Sequence, residues 1–165
     1  MKRNELTIRE ARREDRFELR NIARLSFDNR VYRFFALQSL RSMRNILVVG
    51  SEGRIVGFIV LKSMRIFGKG IGYIYWLAVH PEFRRRGLAS RLISAAEERF
   101  KNEASSEMYA SVEKENEISG YLFIKNGFEI VSKKNLRNDF GFAVLLIYLR
   151  FMIAPHELIF RKKLG

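Results

Sequence analysis

Arg84, Arg85, Arg86 and Gly87 follow one another along the chain. The pattern around them gives that row a chemical meaning. Tyr73 to Val79 reads as a buried strand and His80 to Arg86 as a short turn. Gly87 opens a helix whose apolar residues Leu88, Leu92, Ala96 and Phe100 recur at the spacing of one helical face. A helix start has N–H groups without intrahelical acceptors and a partial positive charge, both suited to a phosphate. Gly87 lets backbone amides come close, because no side chain stands in the way. The segment therefore reads as a pyrophosphate cradle. Two other strand–glycine–helix cradles are excluded, since neither G-x-x-x-x-G-K-S/T nor G-x-G-x-x-G occurs.

What remains, Arg84-x-x-Gly87-x-Ala89, resembles the Q/R-x-x-G-x-G/A motif of the GNAT N-acetyltransferases. The preceding Leu77-Ala78-Val79-His80-Pro81 resembles that family's fourth strand. Further along, Asn116, Ser119, Leu122, Phe123, Gly127 and Phe128 are similar to the family pattern N-x-x-A-x-x-L/I-Y-x-x-x-G-F, with Ser for Ala and Phe123 for Tyr. The resemblance runs from about Glu5 to about Leu149. It implies an α/β fold: a central, mostly antiparallel mixed sheet splayed between strands four and five, with helices on both faces. It implies an enzyme that carries acetyl from acetyl-CoA, its cosubstrate, directly to a primary amine.

The resemblance also assigns roles. Leu77, Ala78 and Val79 would offer backbone to the pantetheine arm. Arg84, Arg85, Arg86, Gly87, Leu88, Ala89 and Ser90 would form the pyrophosphate cradle. Asn116 and Phe123 would complete the cofactor site. Many members place a base five residues before the Asn, which here is Ser111, and a thiolate-protonating Tyr where this chain has Phe123. Both usual groups are missing. Tyr121 is no substitute for Phe123, because two residues along a helix turn about 200°. The replacement candidates are Tyr73, which begins the fourth strand and can order a water, Ser111, which can hold it, and Glu113. Glu113 shares a strand face with Ser111 at about 6–7 Å. His80, ahead of Pro81, reads as structural.

The acceptor is narrowed by proton availability. An α-amine of pKa about 7.8 is about a tenth neutral at pH 7, and a lysine amine only about one part in 10³. A site with a weak base suits a protein or peptide N-terminus. A small-molecule amine, or a catalytically degenerate acyl-CoA-binding module, are the alternatives.

Composition sets the remaining bounds. The chain has 165 residues, 47% of them hydrophobic, enough for one folded domain. It contains no cysteine, so disulfides and a thiol nucleophile are excluded. Two histidines are too few for a convincing metal site, and no metal is expected. No apolar run reaches a membrane span and no leader segment is evident, which points to a cytoplasmic protein without membrane contact. The charge, +13 from 31 Lys+Arg against 18 Asp+Glu, favours anionic partners over polycations. Arg12, Arg13, Arg16, Arg20, Arg24, Lys133, Lys134, Arg161, Lys162 and Lys163 read as a solvated basic surface. Ribosome or nucleic-acid proximity is the alternative, and a homodimer is left open.

The elements that must position these groups follow from periodicity. A strand is expected over 6–10, and a helix capped by Asp15 and running to about Phe27, with Leu19, Ile22, Ala23 and Ser26 inward. A short helix or pair of turns over 32–41 and a hairpin of 46–49 with 55–61 follow, then a Gly-rich loop over 62–72. Next come strand 73–79, helix 87–101, strand 108–113, helix 117–125, strand 128–133 and a long strand near 141–151. Residues 1–151 form the expected acetyltransferase domain, and 152–165 a basic extension.

Overall fold

Alternating and continuous apolar runs in the first half of the chain form strands closed by tight turns. The computed structural model describes residues 6–51 and 53–165. Strand β1 (Thr7–Glu10) pairs antiparallel with β2 (Ile46–Ser51), which pairs antiparallel with β3 (Arg54–Ile66). Helix α1 (Arg16–Ser26) buries Leu19, Ile22 and Ala23. Helix α2 (Arg30–Ser39) starts on Asn29, whose side chain accepts the N–H groups of Val31 and Tyr32. Asp15 does not cap α1. Its carboxylate is taken by the Arg9 guanidinium at 2.7 and 2.8 Å and by the Arg12 N–H.

The expected loop over 62–72 is instead a hairpin. β3 runs on to Ile66, and strand β4 begins at Lys69 and reaches Val79. Phe67 and Gly68 both have positive φ, 49° and 80°, as a two-residue type I′ hairpin turn requires. Helix α3 (Leu88–Asn102), strand β5 (Ser105–Glu113), helix α4 (Glu117–Lys125) and strand β6 (Glu129–Val131) follow the periodicity closely.

The segment after β6 departs from expectation. In place of a strand near 141–151 there are two helices, α5 (Lys133–Phe140) and α6 (Val144–Phe151). The apolar run 142–149 has no polar alternation to separate strand from helix. Ala143, Ile147 and Phe151, four residues apart, are the buried positions. Gly141 at φ 55° and Met152 at φ 55° bound α6 on either side. Residues expected as an extension supply strand β7 (Glu157–Lys163), which pairs antiparallel with both β5 and β6. Its Ile159 and Phe160 are fully buried.

Among the described residues the sheet has seven strands in the order β1-β2-β3-β4-β5-β7-β6. It is mixed, with β4 and β5 parallel. The β4–β5 ladder ends at Ile74↔Ala110, although β4 continues to Val79 and β5 to Glu113. The chain divides into two compact units. One comprises the residues up to Leu61 and Trp76–Ala96, the other Lys62–Tyr75 and Glu97–Gly165. The second unit has its own core, in which Tyr73, Tyr109, Leu136, Phe140, Ile147 and Phe151 are buried together.

Candidate active site

In the first unit, the end of β4 is tied down before the chain turns. The His80 imidazole accepts the Glu82 N–H, and Pro81–Phe83 make one 3-10 turn anchored by buried Phe83. His80 is thus structural, as expected. Arg84 donates Nε to the Val79 carbonyl at 3.1 Å and its terminal nitrogen to Ser26 Oγ at 3.3 Å. Arg86 lies over the Phe83 ring, 4.9 Å from its centroid, and donates to the Glu82 carbonyl. These two arginines brace the turn, while the Arg85 side chain is exposed.

The turn itself is built from left-handed residues. Arg85 has φ 61° and Gly87 φ 75°. A non-glycine residue in that region costs roughly 1–2 kcal/mol, which the bracing on both sides must offset. A Cβ added at Gly87 would meet nothing within 4 Å, so the residue faces open space. The Arg91 N–H bonds the Gly87 carbonyl at 3.1 Å, and that bond opens the helical ladder of α3. The amides of Leu88, Ala89 and Ser90 therefore lie in the first turn, where helix geometry supplies no acceptor. An open concavity, first-turn amides and an exposed guanidinium fit a diphosphate. In the same unit Leu77 is half-buried and Ala78 and Val79 are buried.

In the second unit, β4, β5 and β7 bring together a chain of hydroxyls and a carboxylate. Tyr73 is 2% exposed and its ring stacks on Phe151 at 4.3 Å and 5°. Its hydroxyl lies 2.6 Å from Ser111 Oγ, and Ser111 Oγ donates to Glu157 Oε2 at 2.9 Å. Serine has one hydroxyl proton, and Glu157 receives it. Tyr73 must therefore be the donor to Ser111. The proton order runs from Tyr73 to Ser111 to Glu157. Burial pushes the Tyr73 phenol well above its ordinary value, so it stays protonated and is unsuited to act as a base. Ser111 is half-buried, so the middle of the chain is open on one side. Glu157 is further held by the Ala154 N–H at 2.8 Å.

Glu113 is half-buried and lies opposite Glu157 in the β5–β7 register, with His156 Nε2 at 3.7 Å. Glu157 and His156 escaped the sequence reading because both fall in the stretch taken as an extension. The signal was the run Glu157-Leu158-Ile159-Phe160, whose apolar character after two titratable residues marks a strand that begins with them. Asn116 caps α4, its Oδ1 accepting the Ser119 N–H at 3.1 Å. Phe123 is buried between Phe128 and Phe160, with ring centroids at 5.1 and 5.6 Å. Where the resemblance has a phenol, this chain has core packing. Tyr109 likewise faces inward and donates to Glu107 at 2.6 Å.

A mixed sheet with a parallel β4–β5 pair opening toward its end, followed by a left-handed turn into a helix, defines the acyltransferase class. The family model of the acetyltransferase (GNAT) family matches residues 7–128, and the chain belongs to that family. It is therefore an N-acetyltransferase, with acetyl-CoA as acyl donor. No curated protein matches it in sequence. Among solved structures, the fold is similar to the PaiA N-acetyltransferase of Thermoplasma acidophilum in complex with coenzyme A. The TM-score is 0.71 and the identity 20%, covering 96% of this chain and 99% of that one. It is similar to Ard1 of Thermoplasma volcanium, with TM-score 0.71 and 22% identity over 97% and 98% of the two chains. It is also similar to Arabidopsis thaliana Naa50 bound to the bisubstrate analogue CoA-Ac-MVNAL, with TM-score 0.66 and 19% identity over 96% and 98%.

Proposed function

We propose that this acetyltransferase acts on the α-amine of a protein or peptide N-terminus. The observation that carries this reading is the Tyr73–Ser111–Glu157 chain. Glu157 holds a carboxylate at the end of a hydroxyl relay, and Ser111 is its accessible member. A proton leaving an acceptor ammonium passes through water to Ser111, while the Ser111 proton moves to Glu157. Tyr73 keeps the Ser111 oxygen oriented by donating to it. A carboxylate is a weak base, so the relay suits an amine that is already partly neutral. An α-amine of pKa near ~7.8 meets that condition and a lysine near ~10.4 does not.

The donor side rests on the cradle. Arg85 and the amides of Gly87, Leu88, Ala89 and Ser90 hold the pyrophosphate, with Arg84 and Arg86 maintaining the turn. Backbone groups of Leu77, Ala78 and Val79 pair with the pantetheine arm, whereas Phe123, buried against Phe128 and Phe160, is withdrawn from the cofactor role expected of it. Acetyl-CoA supplies a thioester carbon for the amine to attack, and its sulfur leaves as a thiolate, a leaving group that needs no prior protonation and takes up its proton afterwards. That leaving ability accounts for a family member with Phe123 in place of the phenol. The likeness in fold to Ard1 and to Naa50, solved with a bisubstrate analogue containing MVNAL, supports the α-amine reading.

The test compares two peptides of one sequence, one with a free N-terminus and no lysine, the other N-terminally blocked with one internal lysine. The free N-terminus should react at least tenfold faster at pH 7. Faster acetylation of the lysine would overturn the assignment.

A further inference from the structure

In the second unit the partly buried cations are matched to carboxylates. Lys69 pairs with Glu107, Arg161 with Glu129 and Asp139, and Lys162 with Glu97. Lys62 breaks this pattern. It is half-buried in β3, with Nζ 3.3 Å from the centroid of the Tyr75 ring. The Tyr75 hydroxyl donates to Met152 Sδ at 3.0 Å, which ties that ring to the end of α6, two residues beyond Arg150. Among the described residues no carboxylate pairs with Lys62 or with Arg150. Tyr148, packed on the same core layer as Tyr75, buries its hydroxyl without a partner among the described residues.

Lys62 lies one aromatic ring from the proton relay. The Tyr75 and Tyr73 ring centroids are 6.3 Å apart, and Tyr73 starts the chain to Ser111 and Glu157. Holding two uncompensated positive charges together, one of them half out of water, is unfavourable. The Tyr75 ring face offsets part of that cost for Lys62, and an anion from outside the protein would offset more.

We propose that Lys62, held over the Tyr75 ring, and Arg150 of α6 recognise a carboxylate of the acceptor, so that the enzyme selects peptide N-termini with an acidic side chain next to the reacting amine. This rests on the α-amine reading and gives it a substrate class. The flat guanidinium of Arg150 and the point charge of Lys62 can share one carboxylate. A chain of net charge +13 favours the approach of such a peptide. Burial and the neighbouring Arg150 bring the Lys62 amine down to about 8. Among the described residues Arg150 of α6 is the charged group acting on it, Tyr75 of β4 is the aromatic one, and no carboxylate pairs with either cation. A group with that value loses its charge just above neutrality.

Two peptides differing only in Glu or Gln at the second residue provide the test. Their kcat/KM and their affinities by calorimetry with CoA present are measured on the intact protein and on Lys62→Met, Lys62→Arg and Arg150→Gln. The Glu peptide should be favoured about tenfold, through KM. Lys62→Met should bring the ratio close to one, Arg150→Gln should lower it, and Lys62→Arg should keep it. In the unaltered protein the ratio should shrink between pH 7 and pH 9, and in Lys62→Arg it should stay level. Equal kcat/KM and equal affinity for the two peptides, or a preference untouched by Lys62→Met and Arg150→Gln, overturns the proposal. If neither peptide is acetylated, the α-amine reading fails. Calorimetry then still decides the carboxylate site: tighter binding of the Glu peptide that is lost in Lys62→Met supports it, and equal binding refutes it.

Discussion

Ser111 has one hydroxyl proton and two hydrogen-bonding neighbours, the Tyr73 phenol and the Glu157 carboxylate, and Glu157 accepts that proton. Each member of the chain therefore has a different sensitivity to replacement. Glu157→Gln preserves a hydrogen-bond acceptor for Ser111 but removes the group that can gain a proton. It should lower kcat by about 10²-fold or more, the scale of a lost general base, with little change in acetyl-CoA affinity. Tyr73→Phe removes only an orienting donor and should cost less than about tenfold. Steady-state kinetics on both variants distinguishes the roles, and equal losses would show that the phenol is more than a support. On the donor side, Gly87→Val forces a β-branched residue to φ 75° and points it into the open space at the helix mouth. Calorimetry should show acetyl-CoA binding weakened at least tenfold, and the strained φ should lower the melting temperature by a few degrees, so binding is compared where both proteins are folded. The cradle was legible residue by residue, because three arginines, a glycine and a helical face are contiguous. The relay was not, because its three members are separated by 38 and 46 residues and meet only through pairing.

At the scale of elements, register decides which side chains meet. Gly72 on β4 sits against Phe100 of α3: a Cβ there would lie 2.4 Å from the ring, and Phe100 is fully buried. Neither backbone nor ring has room to yield. Gly72→Ala should therefore destabilise the protein by about 1–3 kcal/mol in chemical denaturation, the range for an overpacked core. No loss would mean that β4 and α3 are packed more loosely. Helix α6 contributes through one stack. Phe151 lies flat on Tyr73, so Phe151→Ala opens a cavity worth about 3–5 kcal/mol and frees the phenol that orients Ser111. Helices α3 and α4 were readable from their 3.6-residue period. Helix α6 was not, since Phe142-Ala143-Val144-Leu145-Leu146-Ile147 is apolar at every position and the run fits strand and helix equally. β7 was obscured for another reason. Its three basic residues resemble a solvated tail, yet Arg161 and Lys162 are engaged by Glu129, Asp139 and Glu97.

Across the whole molecule the charge imbalance makes acid the vulnerable direction. The hydrogen bond from Arg9 holds the Asp15 carboxyl below its ordinary value. Burial by itself would raise Glu97 and Glu107, but bonds from Lys162 and Lys101 to the first, and from Tyr109 and Lys69 to the second, lower both. A carboxyl with a depressed folded value contributes stability above its unfolded value, and that contribution is lost as pH falls through the folded one. Stability should therefore be level above about pH 5 and decline below about pH 4. Protonation adds to a charge already at +13, and the decline should be steeper at low salt. Melting temperatures between pH 3 and 7 at two salt concentrations test this, and a flat profile would refute it. The same charge favours anionic acceptors, in keeping with the uncompensated pair at Lys62 and Arg150.

Local spacing alone was enough to identify the family, the turn at Gly87, α3 and α4, because a motif on adjacent residues and an amphipathic period are written within a few turns of chain. The proton relay, the cations beside Tyr75 and the place of the last strand depended on tertiary structure. Each needs residues far apart in sequence to be set side by side by sheet register and helix packing, and no local pattern encodes which distant partner will arrive.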